Sequence, residues 1–223
     1  EKTIGTRLNQ YAQFLPLLIK GALMTLKVSI ASMILAVALG LLLSIMRIYG
    51  PPVFSITAKI YIEIIRGTPL LIQLFFIFYG LPYIGIKLDP FLAAVLGLGF
   101  NYAAYEAENY RAGIMSVPKM QTEAAKSLGM NSKQTLRHVI IPQALRISLP
   151  PMTNDFISLL KDSSLVSTIT LVELTKVYGQ LSSTYYDYFG TGILVALSYF
   201  LLGLPFIRLA RFFEKKLQNH KPI

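Results

Sequence analysis

Asp155, Ser158 and Asp162 follow one another at helical steps of three and four inside a mainly apolar stretch, with Asn154 and Lys161 on the neighbouring face. Ionisable groups in such a stretch cost roughly 2.5–3.5 kcal/mol each at a bilayer centre, so they mark function by default. Two chemistries suit them. Lys161 with the hydroxyls of Ser163 and Ser164 suits a substrate carboxylate, whereas Asp155 suits an ammonium group or a cationic side chain. The alternative is structural: Lys161 pairs with an acid of another helix to pin a bundle, or snorkels to an interface. A second polar group, Asn101, Tyr102 and Glu106, lies in another apolar stretch, with Tyr102 and Glu106 one turn apart. Asn101 and Tyr102 are candidate cavity residues, and Glu106 is a second candidate to face a cation. Glu108 reads as a structural partner of Arg111, and Glu63 as a partner of Arg66, each pair three residues apart.

Bond-making chemistry has no support in the chain. There are no cysteines, so thiolate metal sites and Cys nucleophiles are excluded, and His138 and His220 form no HExxH pair. A GxxxxGK[ST] phosphate loop is also missing, so the chain carries no ATPase of its own and no catalytic or metal-ligating set is assigned.

The elements that position these residues are membrane spans. Of 223 residues, 54% are hydrophobic and only 14% charged, too few polar groups to cover a water-soluble globule of this size. Stretches 28–46, 67–86 and 188–207 contain no charge and are each long enough to cross a bilayer, which needs about 20 apolar helical residues. Residues 90–105 extend as a helix toward Arg111, and 147–174 is apolar overall but broken by Asp155, Lys161 and Asp162. The expectation is an all-α membrane protein of one domain, 1–223, with five spans at about 15–46, 67–86, 90–111, 147–172 and 188–210. Small residues at fourfold spacing, Ala36 with Gly40 and Gly99 with Ala103 and Ala107, would let spans one and three approach closely.

The net charge of +10 follows topology. Lys and Arg collect in the 47–66 loop, the 111–146 loop and the tail after Arg208, which places these on the cytoplasmic side, with the N-terminus outside and the C-terminus inside. Residues 1–10 lack the order of a cleavable signal, so the expectation is that targeting comes from the spans. Tyr83, Tyr178 and the tyrosines at 185–188 fit an outer aromatic belt, and Thr68 followed by Pro69 reads as an N-cap and first-turn proline opening span two.

The cytoplasmic segment 112–146 is too polar and too long for a connector. A short helix is expected over 121–128, stopped by Gly129 in a left-handed cap. Asn131 then opens a second helix, with Gln134 three residues on in capping-box position. Pro142 and the pair Pro150 and Pro151 punctuate the chain between that helix and span four.

Glu123-Ala124-Ala125, Gly129, Ile141-Pro142-Gln143-Ala144-Leu145 and Pro150, set between two spans, resemble the cytoplasmic signature loop of ATP-binding-cassette (ABC) importer permeases. The likeness extends to Arg66-Gly67-Thr68-Pro69-Leu70-Leu71-Ile72-Gln73, to the eight residues from Asn101 through Glu108, and to Lys161-Asp162-Ser163-Ser164-Leu165. Together these resemble the polar amino acid branch, the histidine, glutamine and arginine type, over nearly the whole chain. The resemblance implies the type I importer transmembrane fold, with Glu123, Ala124, Ala125, Leu128 and Gly129 as the element that couples to a separate ATPase subunit. It further implies that ATP and Mg act on that partner, that a second permease subunit, identical or a close paralogue, completes the path, and that an extracytoplasmic solute-binding protein delivers substrate. The setting implied is a bacterial-type plasma (inner) membrane, and the mechanism alternating access. An ion-gradient-driven secondary transporter is the competing reading, but no inverted repeat is evident in an odd number of spans.

Overall fold

The computed structural model describes residues 4–218, with side chains described from 9 to 216. Among these residues every regular element is helical. The order is α1 (Ile4–Tyr49), α2 (Pro52–Gly67), α3 (Leu70–Phe75), α4 (Pro90–Met115), α5 (Lys119–Ser127), α6 (Ser132–Thr135), α7 (Ile141–Asp162), α8 (Leu174–Tyr185) and α9 (Tyr188–Gln218). Helix α3 runs on through a π-helical turn and a 3-10 turn to Ile84. A π-helical turn, Leu136–Ile140, joins α6 to α7, and a 3-10 segment, Ser163–Ile169, extends α7. Two helical stretches, Asn9–Tyr49 and Tyr188–Lys216, are long and apolar enough to cross a membrane. The pair Pro52–Gly67 and Leu70–Ile84 qualifies when taken together, bent by 106°.

The centre of the molecule is the α1–α4 contact, and the small residues read from the sequence line it. Ala36, Ser32 and Ser44 of α1 are fully buried, as are Ala103 and, within 1%, Ala107 of α4. A Cβ added to Gly40 would lie 2.6 Å from the Glu106 Cβ, and one added to Gly99 would lie 2.7 Å from Leu35. Backbones this close are what small residues permit where lipid offers no hydrophobic drive between helices.

The stretch 47–66, expected as a loop, is helix α2. Its start is set by Pro51 and Pro52 after Gly50, proline at the first helical position costing no hydrogen bond. Ala58 and Ile62 are buried against Leu43, Ala103, Ala104 and Ala107, while Val53, Ile56, Ile60 and Ile64 stay exposed at steps of three and four. Basic residues suggested a loop, yet Lys59 pairs with Glu63 one turn on at 3.8 Å, and the rest of the segment is strongly apolar.

Thr68 does not cap the following helix. It ends α2 in an extended conformation, as a residue before proline prefers, and Pro69 occupies the N-cap of α3. The Thr68 hydroxyl donates to Ile64 O at 2.9 Å and Gln73 Nε2 donates to Ile65 O at 2.9 Å, so side chains satisfy carbonyls freed by the break. The prolines expected to punctuate the later segment lie within helix: Pro142 in the first turn of α7, Pro150 and Pro151 in its interior. Helix continues through them from Ser132 to Ile169, the π-helical turn coming just before Pro142.

On the remaining side, the fully buried Glu173 carboxylate caps α8, a helix the sequence did not suggest. It accepts from the Thr175 and Lys176 amides, each at 2.9 Å, and from the Tyr199 hydroxyl of α9 at 2.6 Å. Tyr83 and Tyr186 are strongly exposed, whereas Tyr178 packs against the Leu174 and Leu181 cluster.

Candidate functional site

The break between α2 and α3 opens onto a polar cavity of about 360 Å³. Thr68, Pro69 and Leu70 form one wall, Asn101, Tyr102 and Tyr105 of α4 a second, and Asp155, Ser158 and Asp162 of α7 the third. Each wall follows from local sequence. Pro69 prevents helix from running through, which exposes the 68–70 backbone, and the three-and-four spacing of Asp155, Ser158 and Asp162 puts them on one face of α7.

The polar side chains are held by neutral partners. Asn101, 5% exposed, donates to Gln73 Oε1 at 3.0 Å, and Gln73 in turn donates to the Thr68 hydroxyl at 2.8 Å, tying α4 to the break. The Tyr102 hydroxyl donates to Asp162 Oδ2 at 2.7 Å, and Asn109 Nδ2 donates to Asp155 Oδ2 at 2.7 Å. Neither acid forms an ion pair among the described residues. Two carboxylates on one small cavity, oriented by amide and phenol donors and with no basic residue among the described residues that line it, form an arrangement suited to a positively charged group. Carboxylate oxygens only accept, so ammonium or guanidinium donors complement them best.

Four of the residues singled out from sequence, Asn101, Tyr102, Asp155 and Ser158, therefore meet at one cavity. Four others do not line it. Lys161 is exposed on another face of α7, one residue before Asp162 and rotated about 100° from it. Ser163 is buried with its hydroxyl donating to Leu160 O at 2.7 Å, which spends it on the helix end. Ser164 is half-buried away from the lining, where its carbonyl accepts from Ser167 at 2.8 Å. Glu106 is fully buried toward α1 beside Gly40; the Asn109 amide next to it donates to Asp155, and among the described residues neither Glu106 oxygen has a partner within hydrogen-bond geometry. Thr68, Tyr105 and Gln73 join the site although their sequence context did not single them out for it, and Asp162 gains a place in the lining beyond its position on the polar stripe. Asp162 was recoverable from its spacing; the others required the fold of the break.

At the far end of α4, Glu108 pairs with Arg111 at 2.9 Å as expected, and also with Arg47 of α1. Glu63, expected to pair with Arg66, pairs with Lys59 instead, and the Arg66 guanidinium lies over the Tyr105 ring, 5.3 Å from its centre.

Beyond α4, α5 and α6 form a compact hook. Gly129 takes φ +81°, the Met130 amide donates to Ala125 O at 3.1 Å and the Gly129 amide to Lys126 O at 2.9 Å, together a Schellman cap. The Asn131 and Gln134 side chains and amides exchange two bonds of 2.9 Å, the capping box. Gln143 Nε2 donates to Gln121 Oε1 at 2.9 Å, which fixes the hook to the start of α7. Glu123, Ala124 and Leu128 are exposed, Leu128 to 83%, while Ala125 is buried beneath a shallow apolar groove that Met120, Met130 and Val139 also line.

Comparison with known proteins agrees with this architecture. Residues 36–219 match the family model for the binding-protein-dependent transport system inner membrane component. The chain is 42% identical to the probable amino-acid ABC transporter permease protein YckA of Bacillus subtilis over 84% of its own length and 83% of the relative's. It is 37% identical to the L-cystine transport system permease protein TcyL of the same organism, over 96% and 92%. Among solved structures, one described as an amino acid ABC transporter with histidines superposes with a TM-score of 0.88 at 40% identity, covering 93% of this chain and 97% of that one. The chain thus belongs to the inner membrane component family of binding-protein-dependent transport systems, and is a permease subunit of the amino-acid ABC transporter type.

Proposed function

We propose that this permease carries an amino acid bearing a cationic group, and that the cavity at the α2–α3 break receives it. The observation that carries the reading is the pair Asp155 and Asp162, both lining one cavity whose lining holds no basic residue. A discontinuous helix beside a polar site is a recurring transporter device, because exposed backbone at membrane depth is tolerated where it lines a cavity. The related solved transporter was described with histidines, and the cystine relative carries a different substrate in its name, so the charge preference rests on the two acids of this chain. Of the residues read from sequence, Asn101, Tyr102, Asp155 and Ser158 are retained as binding residues, and Glu106, Lys161, Ser163 and Ser164 as supports of the helices around them.

We assign the five spans to α1, the bent pair α2 and α3, α4, α7 with its 3-10 extension, and α9. The Lys and Arg distribution puts the α5–α6 hook and the C-terminus in the cytoplasm. Hydrolysis of ATP, with its Mg, belongs to a separate ATPase subunit that receives Glu123, Ala124, Ala125, Leu128 and Gly129. A second permease subunit and an extracytoplasmic solute-binding protein complete the assembly. Movement of the hook by the ATPase pair turns the cavity from one side of the membrane to the other. This chain contributes no bond chemistry: it orients, desolvates and releases.

The test is uptake by the complete complex in proteoliposomes with external L-arginine or L-histidine and internal ATP. Asp155→Asn and Asp162→Asn keep the size of the side chain and remove its charge. Each should lower ATP-driven uptake at least tenfold while the ATPase still co-purifies; undiminished uptake by both variants would reject the cavity as the cation site.

A further inference from the structure

A second pocket, of about 350 Å³, neighbours the polar cavity through the contact of Arg66 with Tyr105. Arg47 of α1, Glu63, Arg66 and Gly67 of α2, and Glu108 of α4 line it. Tyr105 lines the first cavity, and the Arg66 guanidinium that lines the second lies 5.3 Å from its ring centre, so this stack forms the wall between them.

The charges in the second pocket are unevenly used. Glu108 is committed to two guanidiniums, those of Arg47 and Arg111. Among the described residues Arg66 forms no ion pair; its guanidinium lies on the Tyr105 face, and its charge also acts on Asp155 and Arg47. Glu63 is paired there with Lys59 alone, at 3.8 Å and with both side chains more than half exposed, a pair of the kind that contributes little. One guanidinium and one carboxylate, a helical turn apart on α2, thus face the same space with spare capacity. Gly67 leaves that space open: a Cβ there would meet nothing within 4 Å.

We propose that this pocket is a second amino acid site on the cytoplasmic side of Tyr105. Arg66 receives the α-carboxylate through a two-pronged contact and Glu63 receives the α-ammonium. An α-amino acid presents those two groups side by side, and guanidinium suits carboxylate geometry better than any other side chain. The polar cavity above is complementary in what it lacks. It has two acids for a cationic group but no basic residue in its lining for a carboxylate. Substrate leaving it toward the cytoplasm meets Tyr105, and the guanidinium behind that ring is the first carboxylate partner on the way. The inference rests on the cation-site reading of the upper cavity.

Equilibrium binding of radiolabelled L-arginine to the complete complex in nanodiscs tests this, with Arg66→Gln, Glu63→Gln and Gly67→Leu as variants. The wild type should bind two molecules per permease chain. Arg66→Gln should weaken one class of site at least tenfold, and Gly67→Leu, which plugs the pocket without touching a charge, should remove that class. Agmatine, the same side chain without the carboxylate, should occupy only the other class, which Asp155→Asn abolishes. Glu63 is exposed enough that its variant reports even where Arg66→Gln prevents assembly. A single class of site, lost in Asp155→Asn and unchanged in Glu63→Gln and Gly67→Leu, overturns the second site and leaves the upper one standing. Absence of saturable binding in the wild type overturns both.

Discussion

Glu106 and Asp155 stand one helix apart and illustrate two fates of an acid among apolar neighbours. Asp155 borders a cavity and keeps a donor, whereas Glu106 is fully buried and, among the described residues, neither of its oxygens has a partner within hydrogen-bond geometry. An unpaired buried charge is far costlier than a neutral group of equal shape, so Glu106→Gln should leave the thermal midpoint of the purified complex unchanged or raise it. A fall of several degrees would mean that Glu106 carries its charge in the folded state and has a partner in the assembly. Tyr102→Phe makes the opposite case. It removes the donor to Asp162 and should cost about 1–3 kcal/mol where the acceptor stays buried, read as a lower midpoint with weakened substrate binding. Tyr102→Phe with native midpoint and native affinity would show that the bond contributes neither order nor charge placement.

Elements whose formation depends on neighbours along the chain were legible in the sequence, and those that depend on distant neighbours were not. The Gly129 turn and the Asn131–Gln134 box involve residues within a few positions, and both formed as read. Helix α2 was hidden because its basic residues suggested a loop, while its buried face is defined by Ala103, Ala104 and Ala107, some forty positions on. The small-residue stripe is an exception, since it revealed the distant α1–α4 contact, but spacing alone could not show that Lys161 leaves the cavity while Asp162 enters it. The observed contacts single out two substitutions at helix ends and crossings. Gly129→Ala must hold a Cβ at φ +81°, costing about 1–2 kcal/mol, with nothing crowding it, so assembly should persist while transport per ATP hydrolysed falls. Gly113→Ala is different: its Cβ would collide with the Ser148 hydroxyl and sit 2.7 Å from Ala144 O, forcing α4 from α7. That change should lower the midpoint and loosen the cavity both helices line, and a wild-type midpoint would show that the contact yields freely.

At the scale of the whole molecule, the α5–α6 hook lies far along the chain from the cavity that, on the proposed mechanism, it would turn. The Schellman cap and the capping box stiffen its corner, Gln121–Gln143 ties α5 to the start of α7, and α7 then runs without a loop to Asp155 and Asp162. If the hook couples to an ATPase as proposed, a displacement of α5 would be delivered along one helix to two of the residues that line the site. This lever works only with the hook in the cytoplasm, and the absence of native cysteine makes its sidedness directly readable. Cysteine at the exposed position of Lys126 should react with a membrane-impermeant maleimide only in inside-out vesicles. Cysteine at Tyr83, 93% exposed beyond α3, should react only in intact, right-side-out cells. Labelling of both from one side would contradict the span pattern. With sidedness as stated, Leu128→Asp adds a charge to the exposed apolar tip and should release the ATPase from the permease on affinity purification, leaving the permease itself folded. Retention of a stoichiometric ATPase by that variant would place the docking contact elsewhere and break the line from hook to cavity.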